Sequence, residues 1–96
     1  MLTTKQRAYL KSLASVMDPI FQIGKSGAAP ELVNALNDAL EKRELIKVNV
    51  LNNCFEDIRA LAEVIASRTH SEVVQVIGHR IVFYRPSKKP HIELPR

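Results

Sequence analysis

The chain has 96 residues, 46% of them hydrophobic and 25% charged, and carries a net charge of +4 at pH 7. These are globular values, which exclude a disordered chain, and the length suits one domain with its own core, read here as residues 1–96. The single cysteine, Cys54, excludes an internal disulfide, no Cys/His spacing fits a metal site, and no apolar run approaches the ~18 residues needed to span a bilayer. The first residues, Met1 to Arg7, lack the apolar stretch of a signal peptide, so the chain reads as cytoplasmic, without metal or cofactor.

Thr3 and Gln6 have the spacing of a capping box, and Leu10, Leu13, Ala14 and Met17 follow at helical intervals, which predicts a first helix over residues 4–16. Asp18-Pro19 ends it, because the residue before proline is pushed out of the helical region. Ile20 to Ile23 forms a short strand leading into Gly24-Lys25-Ser26-Gly27. Pro30 suits a first helical position, and Leu32, Val33, Leu36, Ala39 and Leu40 give a second helix its apolar face as far as Arg43. Residues 45–51 alternate as a strand, with Ile46, Val48 and Val50 on one face.

Asn53 and Glu56 resemble a second capping box, and Phe55, Ile58, Leu61, Ala62 and Ile65 form a third helical stripe that runs to Arg68. Two β-branched and aromatic runs, 73–77 and 80–85, flank Gly78-His79, a two-residue link with glycine first, as a type II′ hairpin turn requires. Phe83 and Tyr84 alternate across the second run, so one is expected in the core and one outside it. Pro86, Pro90 and Pro95 punctuate a basic tail, residues 86–96, expected to be extended, partly mobile and devoted to binding rather than stability. The order α-β-α-β-α-β-β predicts an α/β fold with a mixed four-stranded sheet covered by three helices, and leaves the strand order open.

The charge is unevenly spread. Residues 1–29 carry four basic side chains against one acidic, residues 30–78 five against eight, and residues 79–96 five against one. A fold that brought the two ends together would build a basic face suited to a polyanion around an acidic middle.

The two glycines of residues 24–27 let the backbone turn tightly and approach a ligand without a Cβ in the way, and the helix start that follows attracts anions. KH modules clamp an RNA backbone with a loop of this kind. Gly24-Lys25-Ser26 also ends like a P-loop, but the glycine that motif needs five positions earlier is Pro19, which excludes a nucleotide hydrolase. His70, His79 and His91 fall in loops or the tail, Cys54 reads as a packed thiol, and Glu56 and Asp57 suit a helix N-terminus, so no active site assembles. Arg7, Lys11, Lys25, Arg80, Arg85, Lys88 and Lys89 form a candidate track for a sugar-phosphate backbone.

Gln22-Ile23-Gly24-Lys25-Ser26-Gly27, Leu45-Ile46-Lys47-Val48, Gln75-Val76-Ile77-Gly78 and Tyr84-Arg85-Pro86-Ser87-Lys88-Lys89, in this order and spacing, resemble the CRM domain family (chloroplast RNA splicing and ribosome maturation) over residues 2–96, in its stand-alone bacterial, YhbY-like form. The resemblance implies an RNA-binding α/β domain similar to the C-terminal domain of bacterial translation initiation factor three, acting on precursors of the large ribosomal subunit and so on 23S rRNA. Ala28-Ala29-Pro30 replaces the Leu and helix-capping Thr that many members carry after the second glycine. The expected site is Gly24, Lys25, Ser26 and Gly27 with Arg7, Lys11, Arg80 and Lys88, in a monomeric binding protein with no membrane or small-molecule partner. A general RNA chaperone and a ribosomal protein-interaction adaptor are the alternatives.

Overall fold

Residues 2–96 are described in the computed structural model, which alternates three helices with four strands: α1 (Thr4–Ala14), β1 (Phe21–Ile23), α2 (Pro30–Arg43), β2 (Leu45–Val50), α3 (Ile58–Thr69), β3 (Glu72–Ile77) and β4 (Arg80–Tyr84). The capping box of α1 is present: the Gln6 amide donates to the Thr3 hydroxyl at 3.1 Å, and the Thr3 amide donates to the Gln6 side chain at 3.0 Å. The helix stops at Ala14, two residues short of expectation, where the Ser15 hydroxyl turns back to donate to Ser12 O at 2.7 Å and competes with the backbone pattern. Pro30 occupies the first turn of α2, and no side chain caps that helix.

The third helix starts later than its apolar stripe suggests. Asp57, not Asn53, is its cap and accepts from the Ala60 amide at 2.9 Å. Residues 51–54 instead close a turn, with the Cys54 amide donating to Leu51 O at 3.0 Å and the Cys54 side chain packed on the core. Phe55 is thereby left outside the helix and 91% exposed. At the other end of α3, His70 adopts the left-handed conformation (φ 54°) as C-cap, and the Ser71 amide donates to Ala66 O at 2.9 Å. A residue with a Cβ is strained there, so His70→Gly, which removes no buried contact, should raise stability by about 0.5–1 kcal/mol in a urea titration.

The strand order is β1-β2-β4-β3. β1 and β2 are parallel, while β4 pairs antiparallel with both β2 and β3, so the final hairpin strand lies between the two strands joined through α3. Gly78 (φ 58°) begins the two-residue hairpin turn, and His79 has no positive φ, the signs that a type II′ turn needs. β3 carries an irregularity between Val73 and Gln75, where Val74 is the extra residue opposite the Phe83–Val82 step.

Helices cover both faces of the sheet. α2 and α3 bury Leu36, Leu40, Leu61 and Ile65 against Ile23, Ile46, Val48, Ile81 and Phe83, and α1 buries Leu10 and Ala14 against Leu45, Val74, Val82 and Tyr84. Phe83 and Tyr84 therefore both lie in core, on opposite faces, because helices cover both faces where β4 ends. Each fully buried Leu, Ile or Phe contributes roughly 1.5–3 kcal/mol. Lys47, on the α1 face, is only 7% exposed and reaches Met17 O with its ammonium at 2.9 Å, holding the end of the α1 segment to β2.

The tail is extended, but it is tied down rather than mobile. Ile92 and Leu94 pack on the α1-side core, and the Gln6 side chain donates to Pro95 O at 3.1 Å. Its anchor is Glu44, the C-cap of α2, fully buried and held at φ 66°. The Glu44 carboxylate accepts from the amides of Ser87 (2.8 Å), His91 (2.6 Å) and Ile92 (3.0 Å), and its carbonyl accepts from Arg85 N at 2.9 Å. Burial pushes its pKa up, but these amides and the Ser87 hydroxyl together outweigh it and leave the carboxyl below its ordinary value. The same buried charge, after desolvation, raises the Tyr84 phenol.

Candidate nucleic-acid interface

The register brings three connections to one end of the sheet. Ile23, the last residue of β1, pairs with Val50, the last of β2, while Asn49 pairs with Arg80, the first of β4, and Arg80 with Ile77, the last of β3. The glycine loop, the 51–57 loop and the Gly78-His79 turn thus share this end. Backbone bonds join them: Leu51 N donates to Ile23 O at 2.8 Å, and Val50 N to His79 O at 2.6 Å.

Within the glycine loop the Gly27 amide donates to Gly24 O at 3.0 Å, closing a turn with Lys25 and Ser26 exposed at its tip. Neither central residue has a positive φ, whereas Gly27 stands at φ 59° and is buried. That conformation favours glycine, and side chains of the 51–57 loop lie close: a Cβ at Gly27 would come within 1.8 Å of an oxygen at the end of the exposed Glu56 side chain, which would have to swing aside, and one at Gly24 within 3.2 Å of Asn53 Oδ1. The 51–57 loop therefore rests on both glycines. Downstream, Arg68 of α3 donates to Ala28 O at 3.0 Å and steadies the step into α2. Gly27's amide being taken, the Lys25 and Ser26 amides and the first turn of α2, which lacks a side-chain cap, are the donors left for an anion.

The expected basic track is only partly gathered here. Lys25 and Arg80 lie at the loop end, two strands (~10 Å) apart. Arg7 is half-buried on α1, and its guanidinium donates to the carbonyls of Val73 and Val74, the latter at 3.1 Å. It serves the β3 irregularity, where carbonyls left out of the ladder need a donor. Lys11, one turn further along α1, is exposed. Lys88 is at the opposite end of the sheet, its amide 3.4 Å from Glu41 Oε1 beside the Glu44 anchor, so the length of β2 (~17 Å) separates it from the glycine loop. Arg85 is also at that end and braces the fold by donating to Thr69 O at 2.8 Å and Asn37 O at 3.1 Å.

Sequence reading missed two polar members of the loop end. Gln22, Asn49 and Arg80 form one cross-strand row on the α1 face, Gln22 and Arg80 exposed and Asn49 half-buried, where Leu45, Lys47, Val82 and Tyr84 on the same face are covered. The alternation of β2 contained the signal, since Asn49 opposes the face of Ile46, Val48 and Val50.

The profile of the CRS1/YhbY (CRM) domain matches residues 2–85. The chain belongs to this family. A CRM relative from Bacillus subtilis, named probable RNA-binding protein YqeI, is 48% identical over 96 residues, covering 99% of this chain and all of the relative. An RNA-binding protein of Haemophilus influenzae is 38% identical, covering 99% of this chain and 96% of its own length. The solution structure of SAV1595 from Staphylococcus aureus has the same fold, with a TM-score of 0.83 and 56% identity over 99% of this chain and all of that one. The CRM match ends at Arg85, before the Glu44-anchored tail is reached.

Proposed function

We propose that this chain binds RNA at the loop end of its sheet, that the RNA is ribosomal, in precursors of the large subunit, and that the chain assists assembly there without catalysing a reaction. The names of its CRM relatives support RNA as the partner. The observation that carries the site is Gly27, a buried glycine at φ 59° that turns the exposed Lys25-Ser26 tip outward and leads into a helix with no side-chain cap. A phosphate at that tip meets backbone amides and the Lys25 ammonium, while Arg80 and the exposed amide of Gln22 extend the contact across the sheet. Lys11 adds charge from α1, and Lys88 meets only RNA long enough to follow the molecule to its far end.

Binding of this kind is mainly electrostatic. The logarithm of affinity for a ribosomal RNA fragment should fall linearly with the logarithm of salt, and Lys25→Ala should flatten that slope by about one phosphate's worth, ~0.7–0.9. An affinity independent of salt, or a Lys25→Ala slope equal to the wild-type one, would remove the loop from the binding surface. Crosslinking and sequencing of RNA bound in cells, enriched at one precursor segment, would test the ribosomal assignment.

A further inference from the structure

We infer that Phe55 is a stacking platform for an unpaired base of RNA held at the glycine loop, so that the site selects single-stranded or bulged RNA over duplex; this rests on the RNA reading above. Phe55 is the most exposed large apolar side chain among the described residues, 91% open to water. A phenyl ring in that position contributes nothing to the core. Its backbone, however, is held from both sides: Cys54 packs on the α2/α3-side core, and Asp57 caps α3.

The flanking side chains place Phe55 next to the glycine loop. The Asn53 side chain lies beside Gly24 and that of Glu56 beside Gly27, so Phe55 sits in a segment that packs along the glycine turn, with its own side chain open to water. The ring is isolated among polar neighbours, with Asn52, Asn53 and Glu56 exposed beside it, and so lacks the broad apolar surround of a protein-docking patch. An unpaired base can lie flat on such a ring, whereas bases inside a duplex present no free face to it.

The chain contains no tryptophan, so Phe55→Trp introduces a single indole whose emission reports stacking directly. The probes are a short single-stranded RNA and the blunt duplex of the same sequence, with folding of each variant checked by its amide spectrum. Phe55→Ala should weaken single-strand binding about tenfold, leave the salt slope at its wild-type value and leave duplex binding unchanged. Phe55→Trp should bind at least as well as wild type and be quenched by the single strand only. Equal affinity of Phe55→Ala and wild type for the single strand, an equal loss on both probes, or an indole whose emission does not change at saturation would overturn the stacking role. In those cases a persisting Lys25→Ala slope change would leave the loop reading standing. Wild type that binds neither probe would bring down both.

Discussion

Glu44→Gln should lower unfolding stability by about 3 kcal/mol and release the tail. The wild-type carboxylate is fully buried, yet it is satisfied by three backbone amides of residues 87–92. Glutamine keeps the shape but offers one acceptor oxygen and turns an NH2 group toward amides that also donate, leaving buried donors unpaired. The loss should appear as a lower urea midpoint and as faster hydrogen exchange at Ser87, His91 and Ile92. Acid should act in the same way. Because the folded carboxyl lies below its ordinary value near 4.5, its contribution is present above that pH and is lost as pH falls through the folded value. His91, whose Nδ1 lies 3.4 Å from the carboxylate, is an exposed neighbour of the same group, so His91→Ala, which keeps the backbone amide, separates its side chain's part from that of the amides. Deleting residues 88–96 should likewise cost stability, since Ile92 and Leu94 leave the α1-side core with them.

Gly27→Asp should weaken RNA binding by about tenfold or more, and Gly27→Ala by less. Both side chains enter a backbone at φ 59°, which costs alanine about 1 kcal/mol of stability and aspartate somewhat less. Both also displace the Glu56 carboxylate, whose oxygen stands 1.8 Å from the new Cβ position. Only aspartate adds a negative charge beside Lys25. Repeating the alanine substitution in a Glu56→Ala background separates the causes: the steric part should vanish and the conformational part remain. Unchanged binding by Gly27→Asp, with the fold intact by NMR, would reduce the loop to a turn.

The elements that sequence made legible are those with local signals. The Thr3/Gln6 box, Pro30 at a helix start and Gly78 in a two-residue hairpin each act within a few residues, and each is found in place. The start of α3 was not legible, because Asn53 and Asp57 are both competent caps and the choice falls to whether Cys54 or Phe55 meets the core. The docked tail was hidden for a related reason: what holds it is a buried carboxylate 43 residues earlier than its nearest amide partner, Ser87. At the candidate site, the glycine turn follows from residue type alone. The scattering of the basic residues does not, since it depends on strand order, which puts Lys88 at the far end, and on the β3 irregularity, which engages Arg7.

The position of β4 governs when the molecule can fold. Among the described residues this strand is the last of the four in sequence, ending at Tyr84, yet it is the one that joins the β1-β2 pair to β3. A nascent chain lacking it holds one strand pair, β1-β2, and an unpaired β3 with no hydrogen-bonded link between them, and the helices have no continuous surface to cover. Folding therefore waits until β4 has been made and then closes in one cooperative step, with few stable partial folds along the way. A chain stopped at His79 should be unfolded rather than partly native, and a ribosome stalled there would carry a protease-sensitive product.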